Sequence, residues 1–331
     1  MSTLRIGNLV AESGTKAKGS LHVLNLAGNW DARIPTILIN GKGQGPILNL
    51  HAGIHGDEYE GIRAIWEISE KINPEKLTGS IIATPIVHTA AYAAGLRESP
   101  IDGKNLARVF PGDKNGTSTD KLAYFFFHEV VLKSNYMIGL HSGGYRYKFH
   151  PLVEYYHGIE KDLEKKEYEM AKAFAIGPFN IIQRLPVEAT NVTCTFAASQ
   201  NGVAAIEPEM WGEGRCLPEH VTQYKSSIFS VMAHLGMIED EREKKLGAET
   251  RERVHHVEGD WILANSGGLF IPTVEIMTPL KKDQRVGITV DDFGSVVEEM
   301  ISPTDGFVGA LRTFPMIRPG DWGVLVERPI D

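Results

Sequence analysis

The chain has 331 residues, 34 of them Lys or Arg and 42 Asp or Glu, for a formal net charge of −8. That acidic balance excludes the basic footprint of a nucleic-acid binder or of a protein held by charge to an anionic membrane. Two cysteines, Cys194 and Cys216, exclude a disulfide framework, and no apolar run approaches the roughly 18 residues of a membrane-spanning helix. With 42% hydrophobic residues the length suits one large or two moderate domains. The N-terminal stretch has no signal-type apolar segment, so a cytoplasmic location is expected.

Taken in order, "GSLHVLNL" and "RIPTILING" (residues 19–41) carry clustered or alternating β-formers, and "GPILNLHAG" is a short apolar run suited to a buried strand. "DEYEGIRAIWEISEKI" then places Ile62, Ile65, Trp66, Ile68 and Ile72 near helical spacing, with acidic residues in its first turn where the helix dipole favours them. "GSIIATPIV" is the next buried strand, "TDKLAYFFFHEVVLKS" a helix, "YMIGLHS" a strand and "EKDLEKKEYEMAKAFAI" an amphipathic helix. "GVAAIEPEM" is a strand, and "PEHVTQYKSSIFSVMAHLGMI" a helix with Pro at its start. Strands alternating with helices predict an α/β sheet with right-handed crossovers. Residues 239–253, "EDEREKKLGAETRER", form a solvated charge run. Beyond it the pattern changes to short strand-like pieces divided by Gly, Pro and Asp. This places a boundary near residue 250, with a hydrolase-type α/β domain over 1–250 and an all-β module over 251–331.

The segment "LHAGIHGDEYEG", residues 50–61, holds two histidines and three acidic residues where an apolar strand ends. His55 and Glu58 make an H-x-x-E pair in a strand-to-helix loop, with Gly53 and Gly56 supplying a sharp turn. His51 belongs packed at the strand end, since the glycines argue against a helical pairing of His51 with His55. A catalytic zinc needs three protein ligands and an open position. His141, ending "YMIGLHSGG", supplies the third from another strand end of the same sheet edge, where α/β sheets bind ligands. A general base is also required. Glu207 and Glu209 in "AAIEPEMWGEG" end a further apolar strand and, two apart, share one face. Arg97 and Arg108 in "GLRESPIDGKNLARVFPG" are of the type that captures carboxylates and polarises carbonyls.

The succession G-x-H-G-D-E-x-x-G, then R-x-x-P-x-D-G-x-x-L-x-R-x-F-P-G, then L-H-S-G-G, then a strand ending in Glu, runs from residue 53 to about 212. In this it resembles the succinylglutamate desuccinylase/aspartoacylase family, which is related in fold to the zinc carboxypeptidases. The resemblance implies a zinc-carboxypeptidase-like mixed sheet with helices on both faces. It also implies a zinc-dependent amidohydrolase that removes the acyl group from a small-molecule N-acyl amino acid, with one Zn2+ per chain. It carries the ligand role onto His55, Glu58 and His141, the base and proton shuttle onto Glu209, polarisation of the scissile carbonyl onto Arg97 and capture of the substrate carboxylate onto Arg108. Two positions depart from the family pattern: Ala107 stands where the family has Asn, and Gly139 where it has Asp two residues before the third ligand. Chain length and the C-terminal module resemble the branch that acts on N-acetyl-diaminobutyrate.

The module itself is similar to the biotinyl/lipoyl-type sandwich in its "P-x-D-G" turn and late "G-D". The turn "DDFG", residues 291–294, lacks the lysine a carrier modifies. The module is therefore expected to pack on the catalytic part, to shape the pocket rim or to join subunits into a homo-oligomer. The rival readings are a zinc carboxypeptidase acting on peptides and a non-catalytic small-molecule binder on the same frame.

Overall fold

The computed structural model describes residues 3–157, 159–175, 179–184, 192–239 and 254–330. The charge run and the expected boundary near residue 250 lie outside the described residues, apart from Glu239. One mixed sheet of twelve strands dominates the fold. Within it the strand Gly43–His51 is hydrogen-bonded in parallel to Thr78–Thr84 on one side and to Tyr136–Gly139 on the other. Ala204–Gly212 continues in parallel beside Tyr136–Gly139 and then pairs antiparallel with Tyr147–Tyr156. The parallel members are joined through helices, as the alternation in the sequence predicts.

Adjacent residues on these strands enter opposite cores. Ile81, Ile138 and Ala204 pack with the helices Glu60–Lys71, Lys161–Phe174 and Pro218–His234. Their neighbours Ile82, Met137 and Ala205 pack with Ser118–Glu129 and Cys194–Gln200. This is the period of two of a strand buried on both faces, and it gives the expected α/β sheet covered by helices on both sides. In the helix Glu60–Lys71, Ile62, Ile65 and Ile68 are buried, but Trp66 is 45% exposed. It stands one position past Ile65, which turns it about 100° off the buried stripe. Among the described residues no helix is long and apolar enough to cross a membrane.

The C-terminal region is rich in sheet, as expected, but four of its strands belong to the twelve-stranded sheet, among them the short Pro279–Leu280 beside Gly306–Arg312. Val254–Leu263 runs parallel to Phe179–Arg184, Trp322–Pro329 pairs with Val254–Leu263, and Gly306–Arg312 pairs with Trp322–Pro329. Gly306–Arg312 also pairs with Tyr147–Tyr156, so five strands close into a ring that carries the large sheet onward. Inside it Phe149, Leu152, Ile182, Val257, Ala310 and Leu325 form one apolar cluster. Only the four strands Gly268–Pro272, Arg285–Val290, Val296–Ile301 and Met316–Ile317 make a sheet of their own. The turn at 291–294 is at its tip, with Phe293 93% exposed.

Candidate active site

The strand Gly43–His51 ends in a loop that turns into the helix Glu60–Lys71, and His55 and Glu58 stand on that loop. The turn depends on glycine: Gly53 has φ +63°, and a β-carbon on Gly56 would lie 2.0 Å from the backbone of Ala91. The next strand, Tyr136–Gly139, delivers His141 just beyond its end. There the His141 N–H donates to the Pro208 carbonyl at 3.0 Å, and the His141 carbonyl accepts from the Tyr224 hydroxyl and the Met210 N–H. The carboxyl ends of neighbouring strands thus bring His141 to Glu58, 83 residues away in sequence, and to His55. Ligand atoms of His55, Glu58 and His141 all lie within 4.8 Å of one another. The residues are 1%, 2% and 5% exposed.

The donor set fits a cation. The Asn105 amide oxygen accepts the Ala107 N–H at 2.9 Å, so it is an acceptor, and it lies 3.1 Å from His55 Nε2. The proton of a neutral His55 ring is therefore on Nε2. Arg97 Nη1 lies 3.2 Å from His55 Nδ1, as a donor to a bare nitrogen would. Yet Glu58 Oε1 is 2.6 Å from that same Nδ1. Two lone pairs at this distance repel, and the Arg97 guanidinium, 3.2 Å from Nδ1 and 3.1 Å from Oε1, is the positive charge that stands with them. Burial and the Arg97 charge lower the pKa of His55 to about 3, so the ring is neutral with Nδ1 free to ligate.

Burial would likewise lower His141, but the Glu58 carboxylate 2.9 Å from its Nδ1 lifts it to about 9. Burial alone would raise Glu58, but the two imidazoles and their hydrogen bonds hold it well below the usual carboxylate range. Two imidazole nitrogens and one carboxylate converge here, and they are ligands of the kind zinc takes.

Glu209 lies in a parallel bridge with His141 and borders the same cavity. Its Oε2 is buried with no partner among the described residues. Burial, with the nearby Glu58 charge adding to it, pushes its carboxyl well above the usual range. Arg97 also borders the cavity, with Nη1 3.1 Å from Glu58 Oε1, and Arg108 faces it from the short turn Leu106–Arg108. The loop that carries both arginines is tied down by Asp102, which accepts the Thr119 N–H at 2.9 Å and the Thr119 hydroxyl at 2.7 Å. Lys104 adds a contact to Asp120 at 2.6 Å. This gives the D-G of the motif its physical purpose.

All six expected residues border or form one cavity of about 290 Å3. Glu207 borders it too, on the face it shares with Glu209. His51 is packed at the strand end as expected, with Nδ1 2.9 Å from Asn49 Oδ1 and its ring edge-on to Phe126. It also explains Gly139: a β-carbon there would stand 2.9 Å from His51 Nε2, so the imidazole fills the space that an Asp at 139 would enter.

Asn105, Glu154, Arg184, Trp261 and Trp322 were not singled out by the motifs. Asn105 sits inside the arginine motif and was legible as the cap of a turn before Arg108. Glu154 and Arg184 ride on strands that the alternation of apolar residues does not announce. Trp261 and Trp322 come from the C-terminal strands and wall the cavity.

The model of the succinylglutamate desuccinylase/aspartoacylase catalytic domain matches residues 44–235. The N-alpha-acetyl-L-2,4-diaminobutyric acid deacetylase of Halomonas elongata is 30% identical over 317 residues, which is 94% of this chain and 90% of that protein. A solved succinylglutamate desuccinylase/aspartoacylase from Rhodobacter sphaeroides has a TM-score of 0.82 at 26% identity, covering 96% of both chains. The product-bound ectoine utilization protein EutE (DoeB) of Ruegeria pomeroyi has a TM-score of 0.82 at 24% identity, covering 95% of this chain and 94% of that one, a likeness of fold. With more than half of its length matched by the family model, and a relative aligned along nearly all of it, the chain belongs to the succinylglutamate desuccinylase/aspartoacylase family.

Proposed function

We propose that the protein is a zinc-dependent hydrolase that cleaves the amide bond of an N-acyl amino acid. The observation that carries this reading is the single cavity in which His55, Glu58 and His141 meet Glu209, Arg97 and Arg108. His55, Glu58 and His141 hold the ion. Zinc bound there supplies Lewis acidity, which makes water acidic enough to ionise near neutrality and polarises a carbonyl. Glu209 takes the proton from the attacking water and passes it to the departing nitrogen. A carboxyl whose affinity for protons is raised by burial suits that two-way task better than an exposed one. Arg97 offers N–H groups to the carbonyl oxygen as it gains charge. Arg108 makes no ion pair among the described residues, which leaves its guanidinium to receive the substrate carboxylate.

The walls favour a small substrate over a peptide. Trp261, Trp322 and Leu325, all from strands after residue 250, border the cavity and narrow it. We assign the C-terminal region this role of rim. The similarity to the Halomonas deacetylase along most of the chain supports an Nα-acetyl diamino acid as the substrate. Metal analysis of the purified protein is expected to give about one zinc per chain. A screen of N-acetyl, N-succinyl and N-formyl amino acids is expected to show hydrolysis that a chelator abolishes and zinc restores. Turnover indifferent to chelation in a protein free of metal would end the reading.

A further inference from the structure

One wall of the cavity carries more carboxylates than guanidinium groups. Glu207 on the strand Ala204–Gly212 stands directly across from Glu154 on the antiparallel strand Tyr147–Tyr156. Side chains so placed are neighbours, and two like charges there repel. Arg184, on the strand beside Glu154, pairs with Glu154. Glu207 is left with the Thr195 hydroxyl, which donates to its Oε2 at 2.6 Å, and with no lysine, arginine or histidine in salt-bridge contact among the described residues. All three charged groups border the cavity, so two carboxylates share one guanidinium and one negative charge remains. At the same cavity Arg108 has no acidic partner among the described residues. The cavity therefore presents one carboxylate and one guanidinium with no salt-bridge partner among the described residues.

Resting on the reading of this cavity as the amino-acid site, we propose that Glu207 is the specificity-determining residue that receives a cationic side chain of the substrate. The substrate class is then an N-acyl diamino acid whose second amino group is unmodified and charged. Its carboxylate is held by Arg108, its ammonium by Glu207, and its acyl amide is presented to Glu209. Such a pairing excludes acidic side chains, because a second carboxylate brought beside Glu207 and Glu154 meets repulsion and no donor. A neutral side chain of the same length leaves Glu207 desolvated and unpaired, which is the costly half of the exchange.

Calorimetric binding of free amino acids to the zinc-supplemented protein tests this without relying on turnover. L-2,4-diaminobutyrate is expected to bind at least about 10-fold tighter than L-norvaline, its uncharged counterpart of equal length, as a charge-assisted contact implies. L-aspartate is expected to bind more weakly than either. In Glu207→Gln the preference for diaminobutyrate over norvaline should fall to near unity while norvaline binds at least as tightly as to wild type, and Glu207→Asp should restore part of the preference. Equal binding of the two ligands by the wild-type protein overturns the proposal, and that comparison stands whether or not the variants fold. A preference that survives Glu207→Gln overturns it as well. Absence of hydrolysis of every acyl amino acid sinks the reaction assigned above, whereas the binding ratio still reads the side-chain subsite.

Discussion

Replacing Asn105 by alanine should loosen the grip on zinc without touching a ligand. The Asn105 oxygen takes the proton side of His55 at 3.1 Å and also holds the Ala107 N–H at 2.9 Å. Without it, a buried ring with 1% exposure keeps an Nε2–H that has no acceptor, and nothing fixes the tautomer that turns Nδ1 toward Glu58. An unmet buried donor costs about 1–3 kcal/mol. At about 1.4 kcal/mol per tenfold that range brackets the roughly 10- to 100-fold loss of metal affinity seen when groups supporting a metal ligand are removed. The lost cap on the turn Leu106–Arg108 costs up to about 1 kcal/mol of stability, a shift in melting of only a few degrees.

The assay is competition for zinc against a chromogenic chelator, with melting curves recorded in excess zinc to separate affinity from folding. Asn105→Asp keeps an acceptor for both donors and adds a favourable charge near the ion, so it should retain the affinity that Asn105→Ala loses. Wild-type zinc affinity in Asn105→Ala would refute the assignment of the Nε2 proton and with it the account of why His55 presents Nδ1.

Glu209→Gln should keep zinc and lose roughly 10²- to 10⁴-fold in kcat, as removal of a general base does, which steady-state rates and metal content check together. Full activity in that variant would move the base elsewhere, with Glu207 the first place to look. Arg108→Ala should raise KM by roughly 10- to 100-fold with kcat little changed, the sign of a contact made equally in ground and transition states. An unaltered KM would strip Arg108 of its role.

Glu327 governs a pH effect on stability rather than on catalysis. It is fully buried, accepts from Asn180 Nδ2 at 2.6 Å, and burial raises its pKa from 4.5 to about 7. The native state therefore keeps a proton that the unfolded chain has already released. The stability this group contributes is present below about pH 4.5 and is lost as pH rises through about 7, by at most about 3 kcal/mol. Glu327→Gln stays uncharged, so its melting temperature relative to wild type should climb between about pH 4.5 and pH 7 and level off above. Parallel melting curves across that interval would contradict the assignment.

Strands and helices up to residue 238 were largely legible because each buries one stripe or two faces of apolar side chains, and those periods are local. Tyr147–Tyr156 was not, since nearly all of its residues are buried and it shows no alternation, with His150, Pro151 and Glu154 interrupting the apolar run. The ligand trio could be read because the H-x-x-E pair is local and because a histidine ending a second parallel strand has only one sheet edge to reach. The Asp at 102 and the Asn at 105 were visible as letters, but their partners Thr119 and His55 lie 17 and 50 residues away, and only packing brings them together.

The amino-acid sequence by itself determined the α/β sheet, the edge at which its strands end and the chemical types gathered there, because periodicity and turn residues act over a few positions. Only the tertiary structure decided which nitrogen of His55 faces the carboxylate and why position 139 holds no side chain. It also decided that Trp261, Trp322 and Leu325, from strands after residue 250, border the cavity, and that Glu154 and Glu207 stand opposite each other on paired strands with Arg184 paired to Glu154. These are facts about distance between residues far apart along the chain, and no local pattern encodes a distance.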